Sequence, residues 1–231
     1  MQVIVPLAGP DYFSSKVAKG LERSIFGDFQ LKHILETRPW SKENKLKYSF
    51  ILHDSNESRS FAKNYLSNWF DDTSYVFLSD YTDGAAFSAI SAISFYGVNL
   101  NCPLIIDLAD IYFESDSKPD FSGEFSSCSF IGYSFKSQSP LYSYFKTANN
   151  EIIETLEKNV ISENASAGVY AYKNASLFLE GFSEILKNPN PFLYKDMLFV
   201  APLTNGLTKN GKKGKIIKVH KHFDYKVSSE T

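Results

Sequence analysis

The chain has 231 residues, of which 43% are hydrophobic and 22% are charged. These proportions are typical of a globular protein and exclude a disordered one. The formal net charge of −2 gives no general attraction to nucleic acid or to an anionic membrane, so we expect neither as a partner.

The sequence predicts a cytoplasmic location without a membrane span. Its two cysteines have no metal-type spacing and favour a reducing compartment over a disulfide framework. The N-terminus shows neither a basic segment nor a signal-peptide cleavage site. The longest uncharged stretch, residues 84–106, contains Pro103 and asparagines, which favours a helix followed by a strand. The sequence leaves open whether the chain forms a homo-oligomer.

The first half of the chain alternates apolar strand patterns with helix patterns. The helix patterns cover residues 55–71 and 85–96. Short continuous apolar runs predict strands that are buried on both faces, at residues 3–7, 48–52, 75–78 and 103–106. This alternation predicts a mostly parallel, doubly wound α/β sheet with helices on both faces. Ligands of such sheets bind at the carboxyl ends of the strands, here the loops that follow these runs.

The second half is predicted to elaborate the same sheet, so that residues 1–231 form one domain. Strand patterns occur at residues 130–136, 142–146, 152–156, 168–172 and 215–219. An amphipathic helix is predicted over residues 176–186. The lysine-rich segment 209–221 is typical of a solvated edge strand, because lysines discourage pairing with other chains.

Small residues at two expected loops are compatible with a bound nucleotide. Ala8 and Gly9 end the first strand, where backbone N–H groups can approach phosphate closely, although an ordinary turn explains them equally well. Gly84 and Ala85 open the second predicted helix. They would let a base or ribose pack on the backbone, or they would serve only tight packing of the helix on the sheet.

Charged residues follow two of the predicted strands. Asp107 and Asp110 come after the fourth strand, where a carboxylate is costly unless it is solvated, caps a helix or holds a cation. Mg²⁺ commonly binds through one or two carboxylates and substrate phosphates. Glu157 and Lys158 can hold sugar hydroxyls and a phosphate, and a surface ion pair is the alternative.

Together these clusters resemble the sugar-1-phosphate nucleotidyltransferases, of the short type found among capsule and lipopolysaccharide precursor enzymes. Residues 3–9 are similar to the opening strand of that family, and residues 80–86 to its threonine-glycine-alanine stretch. Lys19-Gly20-Leu21 resembles its lysine-proline-leucine segment, and Asp110 lies where the family has its metal-binding aspartate. Further matches extend the resemblance to about residue 208, at residues 142–144, 157–158, 165–170 and 200–203.

The resemblance implies a Rossmann-like nucleotidyltransferase sheet with a nucleotide-binding half, residues 1–115, and a sugar-binding elaboration, residues 116–231. It implies Mg²⁺-dependent transfer of a nucleotidyl group from a nucleoside triphosphate to a sugar 1-phosphate, with release of pyrophosphate. Lys19 and Asp110 are the expected catalytic residues. The other implied roles are contact with the nucleotide (Leu7, Ala8, Gly9, Gly84 and Ala85), contact with the sugar phosphate (Glu157, Lys158 and Gly168), and binding of Mg²⁺ (Asp110, with Asp224 as a candidate second ligand).

Two departures from the family pattern leave alternatives open. One is at residues 222–226, where the family often has a glycine-threonine-proline-type segment or a second metal aspartate, and the other is the loop after the first strand. The loop at residues 9–13 lacks the arginine of the family's glycine-x-glycine-x-arginine motif, Asp11 would repel phosphate, and Lys16 is the candidate substitute. A catalytically impaired relative that binds nucleotide as a regulatory or partner subunit is therefore a second hypothesis. A third is a glycosyltransferase that uses Asp107 and Asp110 and consumes a nucleotide sugar.

Overall fold

The computed structural model describes residues 1–13, 18–43, 45–96, 100–115 and 120–225. Lys16, the candidate substitute for the missing arginine, lies outside these residues. Within the described part of the chain, no helix is long and apolar enough to cross a membrane.

The predicted α/β sheet is confirmed, and its centre consists of parallel strands from the first half. β1 (Gln2–Pro6), β2 (Lys47–His53), β3 (Thr73–Leu78) and β4 (Leu104–Asp107) lie side by side in the order β3-β2-β1-β4. Their apolar runs form continuous strands because both faces are covered. Their carboxyl ends meet at one edge of the sheet, where the sequence places the candidate site.

Strands from the second half extend the same nine-stranded sheet beyond β4. β9 (Asn164–Tyr172) pairs antiparallel with β4, and β6 (Phe130–Lys136) pairs antiparallel with β9. β10 (Gly214–Lys218) forms the edge next to β6, as its lysines predict. β7 (Tyr144–Ala148) and β8 (Glu151–Leu156) form a hairpin beside β9, and β7 begins two residues later than predicted.

Helices cover both faces of the sheet. Alternate residues of β1 enter different cores: Val3 and Val5 pack with Leu31 and other residues on one side, and Ile4 packs with Ala89 and others on the opposite side. The helices are α1 (Gln30–Glu36), α2 (Asn56–Phe61), which continues through a π turn (Ala62–Leu66) into α3 (Ser67–Trp69), α4 (Ala85–Tyr96), α5 (Phe121–Ser127), α6 (Ala175–Leu186) and α7 (Leu203–Lys209).

A second, two-stranded sheet lies directly beyond β4 and was not predicted from the sequence. β5 (Ile111–Glu114) pairs antiparallel with β11 (His220–Asp224). In this pairing Asp224 is the partner of Ile111, the residue that follows Asp110. The small sheet therefore brings the end of the described chain to the loop after β4.

Candidate active site

A first cleft of about 220 Å³ opens at the carboxyl ends of β1 and β4. Leu7 and Gly9 line it from the turn after β1, Lys19 from a 3₁₀ turn (Lys19–Leu21), and Asp110 from the loop after β4. Ala8 is buried in the core between Leu7 and Gly9. The structure thus brings Lys19 and Asp110, the two predicted catalytic residues, to one cavity.

The turn that carries Lys19 packs closely on the floor of this cleft. A Cβ atom at the buried Gly20 would lie 2.5 Å from the hydroxyl of Tyr12 and 2.8 Å from Cβ of Leu31. Glycine at this position allows the backbone next to Lys19 to lie against the cleft wall. Burial raises the pKa of Tyr12, which keeps its hydroxyl neutral beside this turn.

The charged residues that line the first cleft are mainly acidic. Asp11, Glu22 and Asp110 contribute carboxylates, and Lys19 contributes an ammonium group. Among the described lining residues, the carboxylates therefore outnumber the cation. A polyphosphate entering this cleft meets repulsion that a divalent cation would offset.

A second cleft of about 90 Å³ adjoins the first, and Asp110 lies on the wall of both. It contains the predicted sugar-phosphate residues Glu157, Lys158 and Gly168 together with Asp224. These residues belong to, or lie just after, β4, β8, β9 and β11. The four strands are far apart in the sequence, and the fold brings them together at this cleft.

Polar side chains of the second cleft are held by hydrogen bonds. The hydroxyl of Ser143 donates to Glu157, and the ammonium of Lys158 donates to the carbonyl of Leu141. The Tyr142 hydroxyl donates to Asp224. Burial is the main cause that raises the pKa of Tyr142, and the hydrogen bond to Asp224 raises it further. Tyr142 and Ser143 line the second cleft. The sequence analysis placed them among the family matches but assigned them no role.

Gly168 has a structural role besides the predicted one. Its backbone is left-handed, with φ +74°, and an added Cβ atom would lie 2.8 Å from Oδ1 of Asp110. The glycine therefore leaves room for the Asp110 carboxylate. A contribution of Gly168 to the sugar pocket stays a prediction.

Asp107 is buried, and Arg38 engages both of its carboxylate oxygens, so it is not placed to hold a cation together with Asp110. Nε of Arg38 lies 2.7 Å from Oδ2 of Asp107, and a terminal nitrogen of Arg38 lies 2.9 Å from Oδ1. Both carboxylate oxygens thus bind one guanidinium. This removes the Asp107 and Asp110 pair on which the glycosyltransferase hypothesis relied. No local sequence pattern singled out Arg38.

Two carboxylates of the second cleft are of the ligand type that Mg²⁺ prefers. In the described part of the chain, no group of three or more histidine, cysteine or acidic side chains is arranged to hold a metal. Asp110 and Asp224 nevertheless line the same cavity. Mg²⁺ needs only one or two protein carboxylates when substrate phosphates supply further oxygens, so this donor set suits Mg²⁺ with a phosphorylated ligand.

Comparison with known proteins identifies the fold. No protein-family model matches the chain, and no curated protein does. Solved structures match over nearly the whole chain. A nucleoside-diphosphate-sugar pyrophosphorylase from Vibrio cholerae RC9 has a TM-score of 0.80 and 19% identity, covering 97% of this chain and 95% of its own. The chain has the fold of this pyrophosphorylase.

Two further structures share this fold at lower similarity. A candidate glucose-1-phosphate thymidylyltransferase from Bacillus anthracis has a TM-score of 0.72 and 16% identity, covering 97% of this chain and 89% of its own. The inositol-1-phosphate CTP transferase from T. maritima has a TM-score of 0.67 and 13% identity, covering 96% of this chain and 86% of its own. At these identities the similarity establishes the fold, and the activity has to be argued from the site.

Within this fold, the unusual loop after β1 is an aromatic 3₁₀ turn (Pro10–Phe13). Phe13 occupies the position at which the family motif has arginine. Its ring centroid lies 5.3 Å from that of Tyr12 and 6.1 Å from that of Phe61. The turn is therefore stabilised by packing where the motif would supply a cation.

Gly84 and Ala85, both within the described part of the chain, line neither cleft. Gly84 has φ +115°, and a Cβ atom there would lie 2.2 Å from the carbonyl oxygen of Leu198. The N–H of Ala86 donates to the same carbonyl at 3.2 Å. The close packing of α4 on this segment explains the glycine, and contact of Gly84 and Ala85 with a nucleotide stays a prediction.

A third cavity lies at the ends of β1, β2 and β3 and meets the first cleft at Gly9. It has about 220 Å³ and is lined by Pro10, His53 and Tyr81, among others. The rings of His53 and Tyr81 are stacked, with centroids 4.3 Å apart. An aromatic wall beside the cleft that holds Lys19 can accept a flat ring.

Proposed function

We propose that this protein transfers a nucleotidyl group from a nucleoside triphosphate to the phosphate of a sugar 1-phosphate, or of a similar small phosphorylated compound. The observation that carries this proposal is the position of Asp110 on the wall shared by two clefts. One cleft contains Lys19, and the other contains Glu157 and Lys158. Substrates in adjoining clefts would meet at Asp110.

The triphosphate is assigned to the first cleft. The ammonium group of Lys19 would neutralise phosphate charge there. The turn at Leu7, Ala8 and Gly9 would offer backbone N–H groups to the phosphates. Gly9 also lines the cavity with the stacked rings, so the nucleoside would extend past Gly9 into that cavity. Gly84 and Ala85, at the start of α4, would contact the nucleotide only where it extends beyond these two cavities.

The phosphorylated acceptor is assigned to the second cleft. Glu157 would accept hydrogen bonds from sugar hydroxyls, and Ser143 holds its carboxylate in place. Lys158, whose ammonium donates to the carbonyl of Leu141, would hold the acceptor's phosphate as a point charge. The backbone at Gly168 would form one wall of the sugar pocket.

Asp110 and Asp224 would hold Mg²⁺, which when bound supplies charge neutralisation and polarisation of phosphoryl oxygens. The protein's own residues position the reactants. An oxygen of the acceptor's phosphate attacks the α-phosphorus in line, the bond from that phosphorus to the bridging oxygen breaks, and pyrophosphate leaves. Lys19 would offset the charge that grows on the leaving group. Such a transfer depends on positioning and needs no protein nucleophile.

We further propose where the product is used and where in the cell the reaction takes place. The product would be a nucleotide-activated sugar, used as a precursor of surface polysaccharide. A cytoplasmic location agrees with the free thiols of Cys102 and Cys128. Residues 1–115 would form the nucleotide-binding half and residues 116–231 the sugar-binding elaboration.

The test is release of pyrophosphate in the presence of Mg²⁺, with nucleoside triphosphates screened against a panel of sugar 1-phosphates. We expect release that requires both substrates and is lost in Asp110→Ala. Binding of a nucleoside triphosphate without any release would favour the impaired relative. Release of a nucleoside diphosphate from a nucleotide sugar would favour the glycosyltransferase.

A further inference from the structure

We propose that the buried pair of Arg38 and Asp107 is a positioning device that fixes the orientation in which Asp110 binds a divalent cation. This inference rests on the proposed function, because it concerns the cation site of that reaction. Arg38 and Asp107 would touch neither substrate nor metal. They would act through the short loop, residues 108–110, that connects them to the site.

The pair is anchored in the protein core. Arg38 is 1% exposed and Asp107 is 0% exposed. The guanidinium binds the carboxylate through two nitrogens, at 2.7 and 2.9 Å. A two-bond contact of this kind fixes the angle between the groups as well as their distance. The end of β4 is therefore held in one orientation.

Asp107 also holds the backbone of the loop through a hydrogen bond. Its Oδ1 atom also accepts the N–H of Ala109, at 2.9 Å. Ala109 is left-handed, with φ +52°, a conformation that a residue with a Cβ atom adopts only when its surroundings impose it. The N–H of Leu108 donates to the carbonyl of Gly168 at 2.9 Å. The residues before Asp110 are thus held from two sides.

Arg38 also contacts the strand that follows Asp110. Its guanidinium lies 4.2 Å from the ring centroid of Phe113 on β5. One side chain therefore contacts both strands that flank the loop: Asp107 on β4 and Phe113 on β5. Lysine could not replace it, because an ammonium group has neither the planar fork nor the flat face.

A purely stabilising role does not explain why this pair is ionic. Replacing a buried ion pair by apolar side chains of similar volume is often neutral or stabilising, because both charges lose their hydration on burial. An apolar pair, however, would leave the N–H of Ala109 without its acceptor. The ionic pair therefore adds a hydrogen-bond acceptor for Ala109, and this acceptor selects the conformation of the loop.

Two double variants separate positioning from stability. Arg38→Met with Asp107→Leu is apolar and removes the acceptor for Ala109. Arg38→Gln with Asp107→Asn is also uncharged, but Asn keeps a side-chain oxygen for that N–H group. The probe is Tb³⁺, whose luminescence is sensitised by nearby tyrosine. Tyr142, hydrogen-bonded to Asp224, is suitably placed.

We expect the Met/Leu variant to bind Tb³⁺ about 10- to 100-fold more weakly than the wild type, the effect typical of lost outer-shell partners. The Gln/Asn variant should bind Tb³⁺ with an affinity within about threefold of the wild type, because its side-chain oxygen still accepts the N–H of Ala109. Adding Ala109→Gly to the Met/Leu variant should recover affinity in part, because glycine adopts positive φ without strain. A structural role alone predicts no such recovery. Thermal unfolding confirms that each variant is folded.

Wild-type affinity in a folded Met/Leu variant overturns the inference. If that variant does not fold, Arg38→Met with Asp107→Ala, which also removes the acceptor for Ala109, gives the same test, and unchanged affinity there also overturns the inference. Asp110→Asn tells the two proposals apart. If it abolishes the luminescence while the Met/Leu variant binds Tb³⁺ with wild-type affinity, positioning fails and the cation site stands. If it leaves the luminescence unchanged, the cation site itself fails, and pyrophosphate release then decides whether the transferase stands.

Discussion

A Cβ atom at Gly168 would lie 2.8 Å from Oδ1 of Asp110, so the glycine on β9 makes room for the carboxylate after β4. Gly168→Ala should therefore displace Asp110 and lower kcat/KM for pyrophosphate release by about tenfold or more, as for a misplaced catalytic group. The measurement is steady-state kinetics together with thermal unfolding. Gly211→Ala is the matched control: its φ is +71°, and nothing lies within 4 Å of the added Cβ. If both variants lost the same activity, backbone strain would explain the loss, and displacement of Asp110 would not.

Lys19 is expected to bind the triphosphate. Lys19→Gln removes a charge-assisted contact and should lower kcat/KM for the nucleoside triphosphate by about 10- to 100-fold. KM for the sugar phosphate should change little, because Lys19 lines only the first of the two clefts. Lys63→Gln, on the exposed side of the π turn, should behave as wild type. A larger effect on the acceptor than on the triphosphate would contradict this assignment.

Asp11 is expected to weaken triphosphate binding. Asp11→Asn removes one of the carboxylates that line the first cleft and should lower KM for the triphosphate by about two- to fivefold at low salt. The gain should shrink as ionic strength rises, because salt screens exposed charges. Asp71→Asn, at the opposite edge of the sheet, is the charge-matched control and should leave KM unchanged.

Asp224 is expected to act with Asp110 on the cation. Asp224→Asn should raise the Mg²⁺ concentration for half-maximal activity by about tenfold, with a smaller effect on the rate at saturating Mg²⁺. Tyr142→Phe, which removes the hydroxyl that donates to Asp224, should give a smaller shift in the same direction. Full activity after exhaustive chelation of divalent cations would refute a role for either carboxylate in metal binding.

The first half of the fold could be predicted from sequence because its signals are local. The apolar runs that became β1 to β4 are short and continuous, and the helix predicted at residues 85–96 matches α4 (Ala85–Tyr96). A strand buried on both faces needs only apolar residues in succession, which any window of the sequence reveals. The resemblance in turn predicted site residues in both halves of the chain, and their roles stay predictions. Lys19, Asp110, Glu157 and Lys158 indeed line two adjoining clefts.

What the tertiary structure alone decided is how distant residues combine. Arg38 and Asp107 are 69 positions apart, and their ionic pair removes Asp107 from the predicted cation site. Asp224 reaches Asp110 only through the pairing of β5 with β11, a short strand of mixed polar and apolar residues. Hydrophobic periodicity reports which face of a segment is buried. It carries no information about which charged groups meet, because that depends on how the completed sheet brings its strand ends together.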